Sequence, residues 1–375
     1  MKSINPATGK VIKEYELMDD GVIDAIIQKA SAAQKEWARL SFSERAKRLN
    51  AVAKRLKSDS DELAELMARE MGKPLPQGIS EAEKCAWVCD YYAEHAESFL
   101  SNRPVETDAS ASYITYNPLG TVLAIMPWNF PFWQVFRFGA PALMAGNAVI
   151  LKHAPNVTGC ALAIESLLHE SGVPNALFRT VLADVDQTQQ MIRHPDIQAV
   201  TLTGSTRAGK AVASQAGSML KKTVLELGGS DPYIVLEDAD LEQAVETCVT
   251  SRLLNSGQSC IAAKRFIVVE SLYEEFKDRL IDQMEQKVVG NPLDKETDVG
   301  PMARVDLRDE LHRQVKESVE QGADLLIGGE LPQSEGAYYP VTALANIHKG
   351  MPAYEEELFG PVASLLRVMD EEEAI

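Results

Sequence analysis

Hydrophobic residues in the first part of the chain recur with helical spacing. Ile23, Ile27 and Ala30 lie three or four positions apart after a pair of aspartates, which predicts a helix with one buried face. Similar spacing predicts a second helix at about 43–57 and a third around 63–71. Ser80 and Glu83 have the spacing of a capping box, which predicts that a fourth helix begins there and reaches about 99.

The pattern changes beyond a short polar arm around Tyr113. Continuously apolar runs now alternate with helical patterns, and this alternation predicts a parallel sheet covered on both faces by helices. Such sheets bind their ligands at the carboxyl ends of the strands. A second alternating series begins near Gly229. The predicted strands lie at 122–126, 148–151, 178–182, 199–203 and 223–225 in the first series, and at 233–236, 266–269 and 325–327 in the second.

Charge and composition narrow the classes of function. The 375 residues include 55 Asp and Glu against 37 Lys and Arg, a net charge of −18. Such a field repels phosphate backbones, so nucleic acid is not expected as a partner. The amino terminus lacks the apolar core of a secretory signal, and five cysteines are few for this length. Both features predict reduced thiols and a cytoplasmic location.

Two segments could indicate a membrane-spanning helix and a metal site, but their neighbouring residues argue against both. Residues 118–151 carry one charge, Arg137, but prolines at 127, 131 and 141 interrupt the run, so no membrane-spanning helix is expected. Cys85 and Cys89 share one helix face, but no third ligand is near in the sequence. Core packing, and no metal site, is therefore expected there.

Three residues in predicted loops or at strand ends could perform chemistry. Cys260 closes the loop Asn-Ser-Gly-Gln-Ser-Cys, where backbone N–H groups and the two cations that follow would favour a nucleophilic thiolate. A buried structural thiol is the alternative. Glu226 ends a predicted strand and could act as a general base, or lie on the surface in a turn. Asn129, in Pro-Trp-Asn-Phe-Pro, offers an amide donor for an oxyanion, or simply forms the turn.

A glycine-containing segment, Gly204-Ser-Thr-Arg-Ala-Gly-Lys210, follows a predicted strand and opens a helix. It nearly matches the phosphate-binding loop of P-loop NTPases, but Ala211 stands where a hydroxyl must hold Mg²⁺. A P-loop NTPase is therefore a remote alternative. The helix N-terminus still suits a phosphate, including the pyrophosphate of a dinucleotide.

Together these motifs resemble the aldehyde dehydrogenase superfamily, and within it the bacterial succinate-semialdehyde dehydrogenases. The resemblance covers the whole chain in order, from NPATG at 5–9 through PWNFP, LKHAP, TLTGST, LELGG and NSGQSC to ELFGPV at 357–362. It implies an α/β fold in which a Rossmann-type parallel sheet forms the cofactor domain at 1–101 and 119–228. A second α/β domain at 229–375 would be catalytic, and 102–118 would be an oligomerisation arm.

The resemblance also implies the roles of the three reactive residues. Cys260 would attack the aldehyde carbon, and Asn129 together with the Cys260 backbone N–H would hold the resulting oxyanion. Glu226 would activate the water that hydrolyses the thioester. The implied substrate is succinate semialdehyde or a similar short aldehyde.

NAD or NADP is the cofactor that the resemblance implies. Lys152 would lie at the adenosine ribose, Ser205 at the pyrophosphate and Glu357 at the nicotinamide ribose. Many relatives that prefer NAD have a glutamate three positions after that lysine, but here it is Pro155, which does not repel a 2′-phosphate. Both cofactors are therefore admissible. The remaining implied cofactor positions are Met126, Trp128, Gly204, Leu227 and Phe359.

The far carboxylate of such a substrate needs a cation, ideally a guanidinium. The resemblance places Arg137 there, with Trp133 and Ser259 beside it. A structural ion pair is the alternative for this arginine.

Members of the family continue beyond Ile375, which predicts a C-terminally truncated chain. The missing part would complete the catalytic domain and pair with the arm of a neighbouring subunit. A homodimer or homotetramer is expected if that part is present. The alternative to an active enzyme is an impaired protein that binds nucleotide or a partner subunit.

Overall fold

The computed structural model describes residues 1–375 and divides the chain into two compact units. The first unit comprises Met1–Ser3, Lys13–Leu66 and Ile79–Leu227, and the second comprises Ile4–Ile12, Met67–Gly78 and Gly228–Ile375. The domain boundaries inferred from the sequence stay a prediction. No helix is long and apolar enough to cross a membrane.

The strands are β1 Lys2–Ile4, β2 Val11–Glu14, β3 Arg103–Pro104, β4 Tyr113–Ile114, β5 Thr121–Met126, β6 Ala148–His153, β7 Phe178–Thr180, β8 Ile197–Thr203, β9 Lys222–Glu226, β10 Pro232–Val235, β11 Arg265–Val269, β12 Asp324–Ile327, β13 Thr342–Ala345 and β14 Val362–Val368. The helices are α1 Asp20–Ala38, α2 Phe42–Ser58, α3 Ser60–Met71, α4 Leu75–Leu100, α5 Trp133–Met144, α6 Thr158–Glu170, α7 Val185–Arg193, α8 Thr206–Ser218, α9 Leu241–Leu253, α10 Glu270–Glu285, α11 Val305–Glu320, α12 Pro352–Glu355 and α13 Glu371–Ala374. Short 3₁₀ turns occupy Pro155–Val157 and Leu254–Gly257.

The first unit is built on a parallel sheet of five strands in the order β7-β6-β5-β8-β9. Its central strands β5 and β6 are almost continuously buried, which explains their unbroken apolar sequences. The chain order reverses direction between β5 and β8, and the loops after such a switch point form the binding crevice of open α/β sheets. Those loops are 127–132, which contains Asn129, and 204–205 before α8.

The fourth helix begins earlier than its capping pattern predicts. α4 starts at Leu75, so the predicted start at Ser80 is wrong and Ser80 lies inside the helix. The N–H groups of Gln77 and Gly78 both donate to the carbonyl of Pro74. A proline can open a helix because its missing N–H would have no partner in the first turn.

The second unit contains another five-stranded sheet, in the order β10-β11-β14-β13-β12. Its first four strands are parallel, and β12 is antiparallel to β13. Phe266, Val268 and Leu365 on the adjacent strands β11 and β14 are fully buried in its core. The register pairs Arg265 with Ser364, so the segments that precede β11 and β14 enter the sheet side by side.

Candidate active site

The loop that ends at Cys260 has an unusual backbone. Asn255, Ser256 and Gly257 follow one another with φ of 55°, 55° and 74°. Only glycine adopts such angles freely, and each other residue held there costs about 1–3 kcal/mol. Both Asn255 and Ser256 are buried, at 0% and 1% exposure. The fold of the second unit therefore imposes a conformation that this sequence would not adopt alone.

Buried polar contacts hold this loop in place. The Oγ of Ser256 accepts a hydrogen bond from the N–H of Gly300 at 2.9 Å. The guanidinium of the fully buried Arg252 donates to the carbonyl of Gly257 at 2.6 Å. A Cβ at Gly257 would overlap the carbonyl of Gly360, so the two chain segments approach more closely than any side chain would allow. The loop is rigid because its backbone is fixed on both sides.

Cys260 is the one cysteine that is not buried; Cys85, Cys89, Cys160 and Cys248 all are. Burial raises the pKa of the Cys248 thiol to about 12, and it also raises the pKa of Cys89. These thiols are unreactive near neutral pH because the thiolate is the nucleophile. No cluster of three or more His, Cys, Asp or Glu side chains could hold a metal ion.

Two buried cations contact this loop, and the sequence indicated only Lys264, as one of the two cations that favour a thiolate at Cys260. The ammonium of Lys264 lies 2.6 Å from the carbonyl oxygen of Cys260 and 3.0 Å from Oε1 of Glu357. Arg252 is the second fully buried cation of this region. The sequence signal for Lys264 is its position four residues after the cysteine. Arg252 lies in a helical pattern, which gives no sign of a role at this loop. Ser259 is buried at 1% exposure, and Phe359 is partly exposed.

In the first unit, Asn129 lies in a loop that is supported by a buried imidazole. Asn129 is 4% exposed. The Nδ1 of His153 faces the N–H of Ala154 at 2.8 Å and must accept from it, so Nε2 bears the proton and donates to the carbonyl of Pro131 at 2.9 Å. Burial lowers the pKa of His153 to about 4. The neutral imidazole therefore links strand β6 to the Asn129 loop.

A buried carboxylate fixes the start of helix α5. Glu81 accepts hydrogen bonds from the N–H groups of Phe132 and Trp133, both at 2.9 Å, and so satisfies two of the N–H groups that a helix leaves unpaired at its start. The ammonium of Lys84 lies 4.2 Å from the ring centre of Trp133. The carboxyl end of the segment 127–133 is thus held by side chains of α4.

Glu226 and Arg137 form a pair. The guanidinium of Arg137 lies 3.5 Å from Oε2 of Glu226, and 3.4 Å from the hydroxyl of Thr203. Both charged side chains are partly exposed, at 37% for Arg137 and 49% for Glu226. With Met126 they line a largely apolar cavity of about 730 Å³.

A second cavity, of about 560 Å³, lies at the carboxyl ends of β6 and β8 and is lined by Lys152 and by residues of α7 and α8. Burial lowers the pKa of Lys152, and the charge of Asp184 opposes the shift. Ser205 is the N-cap of α8 and accepts from the N–H of Ala208 at 3.3 Å. An anion at this helix start is favoured by the helix dipole.

Four further cofactor positions that the sequence predicts lie in the first unit. Gly204 donates its N–H to the carbonyl of Glu226 at 2.9 Å, which joins the ends of β8 and β9. Leu227 packs against Gly209, where a Cβ would overlap its side chain. Pro155 is exposed at the start of its 3₁₀ turn, and Trp128 is partly exposed.

The chain matches the aldehyde dehydrogenase family over residues 1–375 and belongs to that family. It is 48% identical over 373 residues to a succinate semialdehyde dehydrogenase, NAD(P)+, of Escherichia coli (strain K12), and the match covers 100% of this chain and 81% of that protein. It is 47% identical over 377 residues to a succinate-semialdehyde dehydrogenase, NADP(+), of Mycobacterium avium (strain 104), with 100% and 80% covered. The crystal structure of succinic semialdehyde dehydrogenase from Streptococcus pyogenes in complex with NADP+ has a TM-score of 0.97 at 37% identity, with 100% and 82% covered. The resemblance and the α/β fold predicted from the sequence are confirmed.

Proposed function

We propose that this chain oxidises succinate semialdehyde, or a similar short aldehyde, to the carboxylate, with NAD or NADP as the hydride acceptor. The observation that supports it most is the rigid loop that presents Cys260, the one cysteine of five that is not buried. The names of the relatives in Escherichia coli and Mycobacterium avium support the substrate and the cofactors.

The protein's own groups would perform the covalent chemistry. The thiolate of Cys260 forms a C–S bond to the aldehyde carbon, and the carbonyl electron pair moves to the oxygen. The amide of Asn129 and the N–H of Cys260 donate to that oxygen as charge develops there. The oxyanion then re-forms the carbonyl, which leaves Cys260 in a thioester and releases a hydride; NAD or NADP, when bound, would supply the acceptor for that hydride. Glu226 then takes a proton from water, which attacks the thioester and releases Cys260.

The residues of the first unit fit a dinucleotide. The cavity beside Lys152 lies at the carboxyl ends of parallel strands, where such sheets bind nucleotides. Lys152 would hold the adenosine ribose and Ser205, at the start of α8, the pyrophosphate. Pro155 puts no negative charge near a 2′-phosphate, which leaves NADP as acceptable as NAD.

Arg137 would bind the substrate's far carboxylate. Its present contact with Glu226 is a single ion pair at 3.5 Å between partly exposed groups, and such pairs contribute about 0–1 kcal/mol. A bidentate carboxylate binds guanidinium more strongly. We propose that the substrate replaces Glu226 as the partner of Arg137 and leaves Glu226 free to accept a proton.

The first test measures NADH and NADPH formation with succinate semialdehyde. We expect Cys260→Ala to lower kcat by at least about 10³-fold because no covalent intermediate forms, whereas Cys248→Ala, at a buried thiol, retains activity. Activity that survives in Cys260→Ala would contradict the proposal. Glu226→Gln should form the first equivalent of NAD(P)H and then stop, because it cannot activate water.

The substrate assignment has a separate test. Arg137→Met should raise the KM for succinate semialdehyde about 10–100-fold, the loss expected from removing a charge-assisted bidentate contact. The KM for butanal, which has no carboxylate, should change less than about threefold. Equal effects on the two aldehydes would show that Arg137 does not select the substrate.

We also propose that a protein that includes the family's further C-terminal part forms a homodimer or homotetramer through the arm 102–118, and that its location is cytoplasmic. The apolar side chains of the arm support the first proposal, since Val105, Tyr113 and Tyr116 are all more than 40% exposed. Five free cysteines support the second, because thiols stay reduced in the cytoplasm.

A further inference from the structure

The side chain of Lys264 is 1% exposed, which is rare for a lysine. A buried ammonium is stable only when anionic or carbonyl groups surround it. Lys264 has one of each: the Cys260 carbonyl at 2.6 Å and the Glu357 carboxylate at 3.0 Å. The peptide of the proposed nucleophile and the proposed ribose-binding carboxylate therefore share one cation.

The surroundings of Glu357 restrict this carboxylate. The negative charge of Glu357 acts on two buried cations, Lys264 and Arg252. Its Oε2 lies where a Cβ of residue 228 would be, so a larger residue in place of Gly228 would displace this carboxylate. Lys264 holds Oε1, and the side chain of Glu357 keeps 27% of its surface exposed. One carboxylate oxygen is thus fixed internally while the group remains accessible to a ligand.

We propose that Lys264 is a positioning residue that orients Glu357 for the cofactor and fixes the peptide of Cys260 at the same time. This inference rests on the proposed function for the roles of Cys260 and Glu357. Lys264 touches neither aldehyde nor cofactor and acts through these two residues.

The two contacts have different consequences. Without the ammonium, Glu357 loses the partner that fixes one of its oxygens, and its remaining oxygen no longer points in one direction towards ribose hydroxyls. The Cys260 peptide loses a cation at its carbonyl, and a nearby cation favours the thiolate. Loss of the Glu357 carboxylate alone favours the thiolate of Cys260, because the ammonium of Lys264 then has no counter-charge.

The test uses the full chain with Lys264→Met, Glu357→Gln and the double variant. Methionine fills the space of the lysine stem without its charge. Lys316→Met is the matched control, since Lys316 lies on the surface of the same unit at 66% exposure and pairs with Glu320 at 3.9 Å. Fluorescence titration gives the Kd of NADP⁺ and NAD⁺. Alkylation by iodoacetamide without cofactor reports on Cys260, because the other four thiols are buried; one thiol reacting per folded chain verifies folding.

We expect Lys264→Met to slow alkylation of Cys260 about fivefold and Glu357→Gln to accelerate it, with Lys316→Met unchanged. Both single variants should raise the cofactor Kd about tenfold, and the double variant should raise it no further, because the two residues form one contact. Alkylation rates that move in the same direction, or a cofactor Kd that Lys264→Met leaves unchanged, would overturn the proposal.

The alkylation assay needs neither aldehyde nor cofactor, so it separates this inference from the proposed function. If Glu357→Gln left the cofactor Kd unchanged while the alkylation rates moved in opposite directions, the ribose role of Glu357 would fall and the coupling of Lys264 to Cys260 would stand. If the cofactor Kd changed but the alkylation rates did not, the proposed effect of Lys264 on Cys260 would be overturned.

Discussion

His153 is a side chain whose protonation state the fold selects. Its Nδ1 accepts from the N–H of Ala154, so a proton on Nδ1 would break that bond. Burial of the ring lowers its pKa to about 4; the hydrogen bond to Pro131 opposes this shift, and the charge of Lys152 adds to it. Between about pH 4 and pH 6.5 the imidazole of His153 is protonated in the unfolded chain and neutral in the folded one. Stability should therefore rise with pH between about 4 and 6.5.

This predicts a loss of about 2 kcal/mol in the free energy of unfolding between pH 7.5 and pH 5 from His153 alone. His153→Gln can still donate to Pro131 and should remove that part of the pH dependence, as measured by urea unfolding at both pH values. His169→Gln is the control, at a partly exposed imidazole that also contacts a carbonyl, that of Phe178 at 2.9 Å. If His153→Gln kept the full pH dependence, another group would be responsible.

At the scale of elements, the 3₁₀ turn Leu254–Gly257 shows how closely the second unit packs around its loop. Gly257 has both a left-handed backbone and a carbonyl, that of Gly360, where a Cβ would be. The turn precedes Cys260 by three residues, so any displacement of Gly257 moves the sulfur.

Gly257→Ala should destabilise the protein by at least about 2 kcal/mol more than Gly172→Ala, and should lower kcat as well. Gly172 is the matched control because it has φ of 87° with open space at its Cβ position. Only the conformational cost of about 1 kcal/mol applies there. Equal losses of stability in denaturant unfolding would mean that the loop relaxes around the added methyl group.

The sequence predicted most strands of the first unit because a parallel sheet buries both faces and so requires unbroken apolar runs. It missed β13 and β14, although β14 is the middle strand of its sheet. Its carboxyl half, Leu366–Val368, is only partly buried or exposed, and this weakens the pattern. The start of α4 was misplaced because the prolines at 74 and 76 open the helix before the capping box at Ser80.

At the scale of the whole molecule, the arm exposes several apolar side chains, among them those of Tyr113 and Tyr116. β3 and β4 form a two-stranded ladder in which Arg103 pairs with Ile114 and Pro104 with Tyr113. An isolated ladder of this kind is marginally stable in water. Association with another subunit would give hydrogen-bond partners to the backbone groups along the edge of this ladder.

Replacing both Tyr113 and Ile114 by Asp should therefore convert the proposed oligomer to monomer, as light scattering after size-exclusion chromatography would show. Val22→Asp, at a residue of α1 that is 48% exposed, should leave the assembly intact. A wild-type protein that includes the C-terminal part and is already a monomer would contradict the proposed homo-oligomer.

The sequence by itself determined the family, most strands of the first unit and the residue types that the chemistry needs, because these are local patterns or ordered motifs. Only the tertiary structure paired Lys264 with Glu357 and Arg137 with Glu226. For Lys264 and Glu357 the physical reason is strand order. β11 and β14 are adjacent and parallel, so the segments before them meet although they lie far apart in sequence. No local pattern contains that information, since the partner of Lys264 lies 93 residues further along the chain.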